Sequence, residues 1–300
     1  MNLFNRLVVT FLPLVPKLIV RWISRPYVAG ADLPAAVRTV KELNQRGMCA
    51  TLDVLGESTL DPNLCQEAIQ DYHRVIDAIV QEKLDCNISL KLTQLGLLIN
   101  PEVCRQNVLQ IVQKAAAAGI LVRVDMEDAT VTSATIDLFQ QLHREFPNTG
   151  IVLQAYLRRS LQDLKKLAAE KINFRLCKGI YVESRTIAYK QPQIINENFA
   201  LLMDRALRAG SYVAIATHDE KMVWQGLRLI EELSLTTDRY EFQMLLGVDE
   251  ELRDLIVQAG HKLRVYVPFG RRWYAYCVRR LKENPQIALY VLKAMLGIKG

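Results

Sequence analysis

Short apolar runs that end in polar residues alternate along the chain with segments of helical period. There are eight runs, at residues 49–55, 88–95, 121–127, 151–157, 174–181, 212–218, 240–247 and 263–269. Gly47, Gly119, Gly150, Gly210 and Gly260 precede five of them, where a helix C-cap would release the chain. Gly56, Gly96, Gly247 and Gly270 close or follow others, where a strand must turn. Between the runs, Ala36, Val37, Val40 and Leu43 fall on one face of a helix. Leu161, Leu164, Leu167 and Ala168 repeat that habit, as does the segment 221–233.

Runs dominated by Val, Ile and Leu predict strands buried on both faces, as a parallel sheet requires. Eight units at roughly 30-residue spacing predict an α/β fold, a closed TIM-like (β/α)8 barrel over residues 31–300. An open doubly wound sheet is the alternative. Residues 1–30 are expected outside the barrel as an N-terminal helical arm. Its apolar stretch from Leu7 is interrupted by Pro13, Pro16, Lys17 and Arg21, too broken for a spanning helix of about 20 residues. No small-residue cleavage site follows it. The arm therefore packs on the domain, or it is a cationic–apolar segment that touches a membrane.

Half of the 300 residues are apolar, enough for one large core. The formal charge of +6 selects no partner, and without a basic block or an aromatic–basic platform nucleic acid is not expected. Six scattered cysteines without C-x-x-C, and four isolated histidines, predict a reduced, cytoplasmic protein with no metal.

Chemistry in such a barrel sits at the C-terminal strand ends. The sequence puts Asp53, Glu57, Lys91, Asp125, Glu127, Gln154, Tyr156, Arg175, Lys178, Thr217, His218, Gln243 and Tyr266 there. Charges in a strand-rich core are costly unless paired or bound to ligand, so the set predicts a polar site at the mouth. Asp125 and Glu127 share a face two residues apart, but basic neighbours offer each a simpler partner than a shared proton. His218 reads as a hydrogen-bonded structural group or as a base. Near the C-terminus Arg279 and Arg280 leave a helix about 100° apart. They fit a bidentate grip on a carboxylate, or simply complement a helix dipole. No G-x-G-x-x-G, P-loop, G-x-S-x-G or H-E-x-x-H occurs.

Nine stretches in order, TLDVLGES (51–58), VDMEDA (124–129), RLCKGIY (175–181) and YVPFGRRWYAYCVRRL (266–281) among them, resemble the proline dehydrogenases. The likeness includes the catalytic domain of the bifunctional proline-utilisation flavoproteins. It implies a barrel that holds FAD non-covalently and oxidises L-proline to 1-pyrroline-5-carboxylate by hydride transfer. It also implies roles. Asp125 and Arg175 are catalytic. Lys91, Tyr266, Arg279 and Arg280 bind substrate. Met126, Gln154, Lys178, Gly179, Ile180, Thr217, His218 and Gln243 contact FAD. Asp125 is expected to hold an arginine or tyrosine in place, and Cys177 to be a buried, inert thiol. With no aldehyde dehydrogenase half recognisable, product would pass to a separate pyrroline-5-carboxylate dehydrogenase. Electrons would pass to a membrane quinone, with the protein cytoplasmic or peripheral on the inner membrane face. The rivals are a flavin-free barrel aldolase or isomerase and a non-catalytic scaffold barrel.

Overall fold

A computed structural model describes Val20, Trp22, residues 25–274 and residues 276–278. Helices and strands alternate throughout: α1 (Leu33–Gln45), β1 (Cys49–Val54), α2 (Pro62–Gln81), β2 (Cys86–Leu90), α3 (Pro101–Ala117), β3 (Val122–Val124), α4 (Thr132–Glu145) and β4 (Thr149–Gln154). The second half continues with α5 (Ser160–Leu167), β5 (Asn173–Cys177), α6 (Pro192–Arg208), β6 (Tyr212–Ala216), α7 (Glu220–Glu232), β7 (Tyr240–Leu245), α8 (Glu250–Gln258) and β8 (Leu263–Phe269). All strand pairs are parallel, and β8 closes on β1, with Thr51 opposite Tyr266 and Asp53 opposite Pro268. The expected (β/α)8 barrel is therefore present, and the open sheet is not. Most of the N-terminal arm, and Arg279 and Arg280, lie outside the described residues.

Local chemistry explains the starts and stops. Asp61 and Asn100 accept from the first backbone N–H groups of α2 and α3, and a proline follows each cap. Gly47, Gly119, Gly210 and Gly260 have φ between 67° and 84°, and each releases the chain from a helix toward a strand. Gly150 does not belong with them. It lies inside β4, where a Cβ would meet Arg123 Nη1 at 2.5 Å, so its missing side chain makes room for a guanidinium.

Strand residues such as Leu52, Leu90, Val124 and Phe174 form one core with Val40, Ile76, Ile111 and Phe139 of the helices. The alternate positions point the other way. Side chains from β2, β5, β7 and β8 are hydrogen-bonded to one another, or to Asp125 just after β3, across the barrel interior. An interior of this kind is ordinarily filled by bulky branched residues. Here much of it is polar and charged, and that sets up the site.

Candidate active site

The site begins with Asp125, the first residue after β3. Its Oδ1 accepts from Ser89 Oγ at 2.6 Å and from Arg175 Nη1 at 2.7 Å. Its Oδ2 accepts from Tyr266 Oη at 2.9 Å, and Lys91 Nζ stands 3.7 Å away. Burial alone would raise this carboxyl, but Arg175, Lys91 and the two hydroxyl donors outweigh it and hold it below the usual aspartate range. Burial also pushes the Tyr266 hydroxyl well up, helped by the charges of Asp125 and Asp53.

Two further groups set the cations. Lys91 Nζ donates to both oxygens of Asp53, at 2.9 and 3.1 Å. Burial would lower the ammonium, but Asp53 and Asp125 prevail and keep it above the ordinary lysine range. Arg175 donates through Nε to Gln243 Oε1 at 2.6 Å, and its guanidinium carbon lies 5.1 Å from the Tyr266 ring centre. Arginine, tyrosine and aspartate thus fix one another.

On the far side of the mouth, Lys178 Nζ donates to Asp219 Oδ2 at 2.6 Å, and Asn196 donates to the same oxygen at 3.1 Å. Asp219 also N-caps α7. Gln154 donates to the carbonyl of Glu127 at 2.8 Å. His218 Nε2 accepts the Leu245 backbone N–H at 2.8 Å, so in its neutral form the ring carries its proton on Nδ1. Thr217 Oγ1 accepts from the Asp219 N–H at 3.1 Å. Gly179, at φ 104°, lies against the Tyr156 ring.

The twelve described residues to which the family resemblance gave a role all line one cavity of about 370 Å³ at the C-terminal strand ends, whereas Asp53, Glu57, Glu127 and Tyr156, also expected at the mouth, do not line it. The twelve are Lys91, Asp125, Met126, Gln154, Arg175, Lys178, Gly179, Ile180, Thr217, His218, Gln243 and Tyr266. Asp219, Tyr181 and Tyr276 line it too, unforeseen. Glu127 departs from expectation: its partners are the Thr93 backbone N–H, at 3.0 Å, and the Thr93 hydroxyl, not a basic side chain. Cys177 is half-buried rather than buried, because its thiol borders the cavity; it donates to the Leu153 carbonyl at 3.8 Å.

Three charged residues below the mouth were missed: Arg123, Glu241 and Arg264, all at most 4% exposed. Their signal was available. Each stands two residues before a foreseen one, Asp125, Gln243 and Tyr266, and positions two apart share a strand face.

By its lining, the cavity is compatible with the ring portion of a flavin. Its walls combine Met126, Val152, Met244 and Leu245 with cationic and amide side chains, and its size lies within the range of about 300–1,000 Å³ usual for small-molecule sites.

The proline dehydrogenase family model matches residues 36–291. Proline dehydrogenase 1 of Bacillus subtilis is 36% identical over 273 residues, which cover 91% of this chain and 90% of that protein. Proline dehydrogenase of Deinococcus radiodurans is 34% identical over 279 residues, with 91% and 90% covered. Among solved structures, proline utilization A from Bdellovibrio bacteriovorus, inactivated by N-propargylglycine, superposes with a TM-score of 0.82 at 27% identity. That match covers 87% of this chain but only 32% of the larger protein. The structure from Corynebacterium freiburgense, with a TM-score of 0.78 at 23% identity over 95% of this chain and 33% of the other, shares the fold. The chain belongs to the proline dehydrogenase family and is an oxidoreductase of that kind.

Proposed function

We propose that the chain binds FAD in this cavity, oxidises L-proline to 1-pyrroline-5-carboxylate, and passes the electrons to a membrane quinone. The observation that carries the reading is the Asp125–Arg175–Tyr266 cluster, in a cavity lined by all twelve described residues that the resemblance assigned to substrate or cofactor. When bound, FAD would accept the hydride from the carbon beside the proline nitrogen.

The chain's own residues supply binding, orientation and charge. Met126, Gln154, Lys178, Gly179, Ile180, Thr217, His218 and Gln243 would hold the cofactor. Lys91 contributes to the recognition of the proline carboxylate, with Arg279 and Arg280, which lie outside the described residues. Tyr266 forms the wall against the substrate ring, held by its bond to Asp125. Asp125 is ionised and accepts from Ser89, Arg175 and Tyr266, so it serves as the anchor of the arginine and the tyrosine rather than as a proton acceptor. Arg175 places positive charge at the cavity wall, where charge would develop during the transfer.

The reading includes a barrel over residues 31–300 with residues 1–30 as an arm, and a separate pyrroline-5-carboxylate dehydrogenase as the consumer of product. The enzyme is placed in the cytoplasm, meeting quinone at the inner membrane face. No helix among the described residues is long and apolar enough to cross a membrane.

The test is anaerobic spectroscopy of the purified protein. A yellow protein bleached by L-proline, then re-oxidised by a quinone, is expected. A colourless protein, or a flavin spectrum that proline leaves unchanged, would sink the reading. Arg279→Met and Arg280→Met should each weaken proline binding by about 1.5–3 kcal/mol while flavin content survives.

A further inference from the structure

Below the mouth, β7 carries Glu241, 2% exposed, two residues before Gln243. Its carboxylate accepts from Arg264 Nε at 2.9 and 3.0 Å, and Lys262 Nζ stands 3.7 Å away. A buried ion pair of that kind would be explained by the packing of the barrel floor alone. The same carboxylate makes one bond more. Gln243 Nε2 donates to Glu241 Oε1 at 2.5 Å, while Gln243 Oε1 accepts from Arg175 Nε at 2.6 Å.

An amide side chain has one donating end and one accepting end. Gln243 sits between a group that only accepts and a group that only donates. Turned over, it would set its oxygen against a carboxylate and its NH2 against a guanidinium, losing both bonds at a side chain only 4% exposed. Glu241 therefore selects the amide orientation, and the amide selects where Arg175 Nε points. With Nε fixed, Nη1 reaches Asp125 at 2.7 Å and Ser89 Oγ at 3.3 Å. The chain of bonds runs without a gap from the backbone carbonyl of Ala50, which accepts from Arg264 at 2.7 Å, up to the Tyr266 hydroxyl.

We infer that Glu241 is a positioning residue for the reaction, acting through Gln243 to hold the Arg175 guanidinium in register with Asp125. This rests on the functional reading above. It assigns part of the redox tuning to a carboxylate that does not line the cavity. Burial tends to raise the Glu241 carboxyl, but Arg264, the Gln243 donor and the nearby Lys262 charge bring it down to about 2, so the accepting group is ionised at every working pH.

The experiment compares Glu241→Gln and Glu241→Asp in the flavin-loaded protein, each with and without Gln243→Leu. Asp keeps a charge for Arg264 but withdraws its oxygens from Gln243, so it carries the test should Gln fail to fold. Either variant should slow flavin reduction at saturating proline by about tenfold or more, with proline affinity unchanged. The flavin midpoint potential should fall. In 1H–15N spectra, the protected Nε–H signal of Arg175, identified by its loss in Arg175→Lys, should broaden or exchange faster. With Leu at position 243, a change at position 241 should add nothing further. A wild-type rate, potential and Arg175 signal in Glu241→Asp would overturn the inference. So would a Glu241 effect of equal size in both backgrounds. Should the wild-type protein itself ignore proline, the functional reading fails, and the Arg175 signal still decides the positioning claim.

Discussion

Lys91 Nζ reaches both oxygens of Asp53, at 2.9 and 3.1 Å, with Asp53 completely buried. A lysine assigned to a substrate carboxylate thus already carries a countercharge, and Asp53 holds it in place. Burial raises the Asp53 carboxyl in spite of the adjacent Lys91 ammonium. Asp53→Asn should leave the buried ammonium with only the more distant Asp125 as countercharge, 3.7 Å away, and lower unfolding stability by about 2–4 kcal/mol. Denaturant titration of the flavin-loaded variant measures this. Stability within experimental error of wild type would show that Lys91 finds its partner elsewhere.

Arg175 binds Asp125, Ser89 and Gln243 at once. Arg175→Met should lower the flavin midpoint potential and slow single-turnover reduction on the order of a hundredfold, even at saturating proline. Stopped-flow absorbance reads the rate directly. An unaltered single-turnover rate would remove Arg175 from the chemistry.

The acid limb of stability follows from the signs of two shifts. Asp125 and Glu241 are both depressed in the folded protein, Glu241 to about 2. Each stabilises the fold fully above the unfolded carboxylate range of about 4, and that contribution disappears as pH falls through the folded values. Asp53 and Glu127 are raised by burial and act in the opposite sense, favouring the fold at low pH and losing that benefit as pH rises. The urea midpoint should therefore fall between about pH 4 and about pH 2, with a gentler slope in Glu241→Gln. Identical slopes in the two proteins would contradict the assignment.

Gly179 combines a φ of 104° with an aromatic ring where its Cβ would be. Gly179→Ala must change the backbone or displace Tyr156, a cost on the order of 1–3 kcal/mol. Because the residue lines the cavity, flavin retention after gel filtration should fall along with the melting temperature. Full retention at unchanged stability would mean that the loop simply relaxes.

The fold was legible because its eight units are written in two simple periods, helical and apolar-run, punctuated by glycine. The glycines at 47, 119, 210 and 260 behaved as release points, since nothing but their own backbone freedom was involved. Gly150 misled because its reason is tertiary: the Arg123 guanidinium from the neighbouring strand occupies the space. The polar mouth residues were found because polar groups at strand ends stand out against Val, Ile and Leu, whereas Met126, Gly179 and Ile180 came only with the family resemblance. Arg123, Glu241 and Arg264 were overlooked because attention to strand ends ignores what alternation sends into the barrel lower down. Asp219 was hidden differently: as a helix cap it has an ordinary local purpose, and only the folded chain brings Lys178 to it.

A charged column inside a barrel also bears on durability. Hydrophobic replacements for a buried ion pair are often neutral or stabilising, so Glu241 and Arg264 are places where a sturdier interior is readily available. A chain selected for persistence alone would drift toward an aliphatic filling there, without loss of fold. Retention of the pair ties the hardiness of the scaffold to the electrostatics of its mouth. Thermostabilising campaigns should therefore leave the interior of β7 and β8 alone and seek their gains on the helical shell.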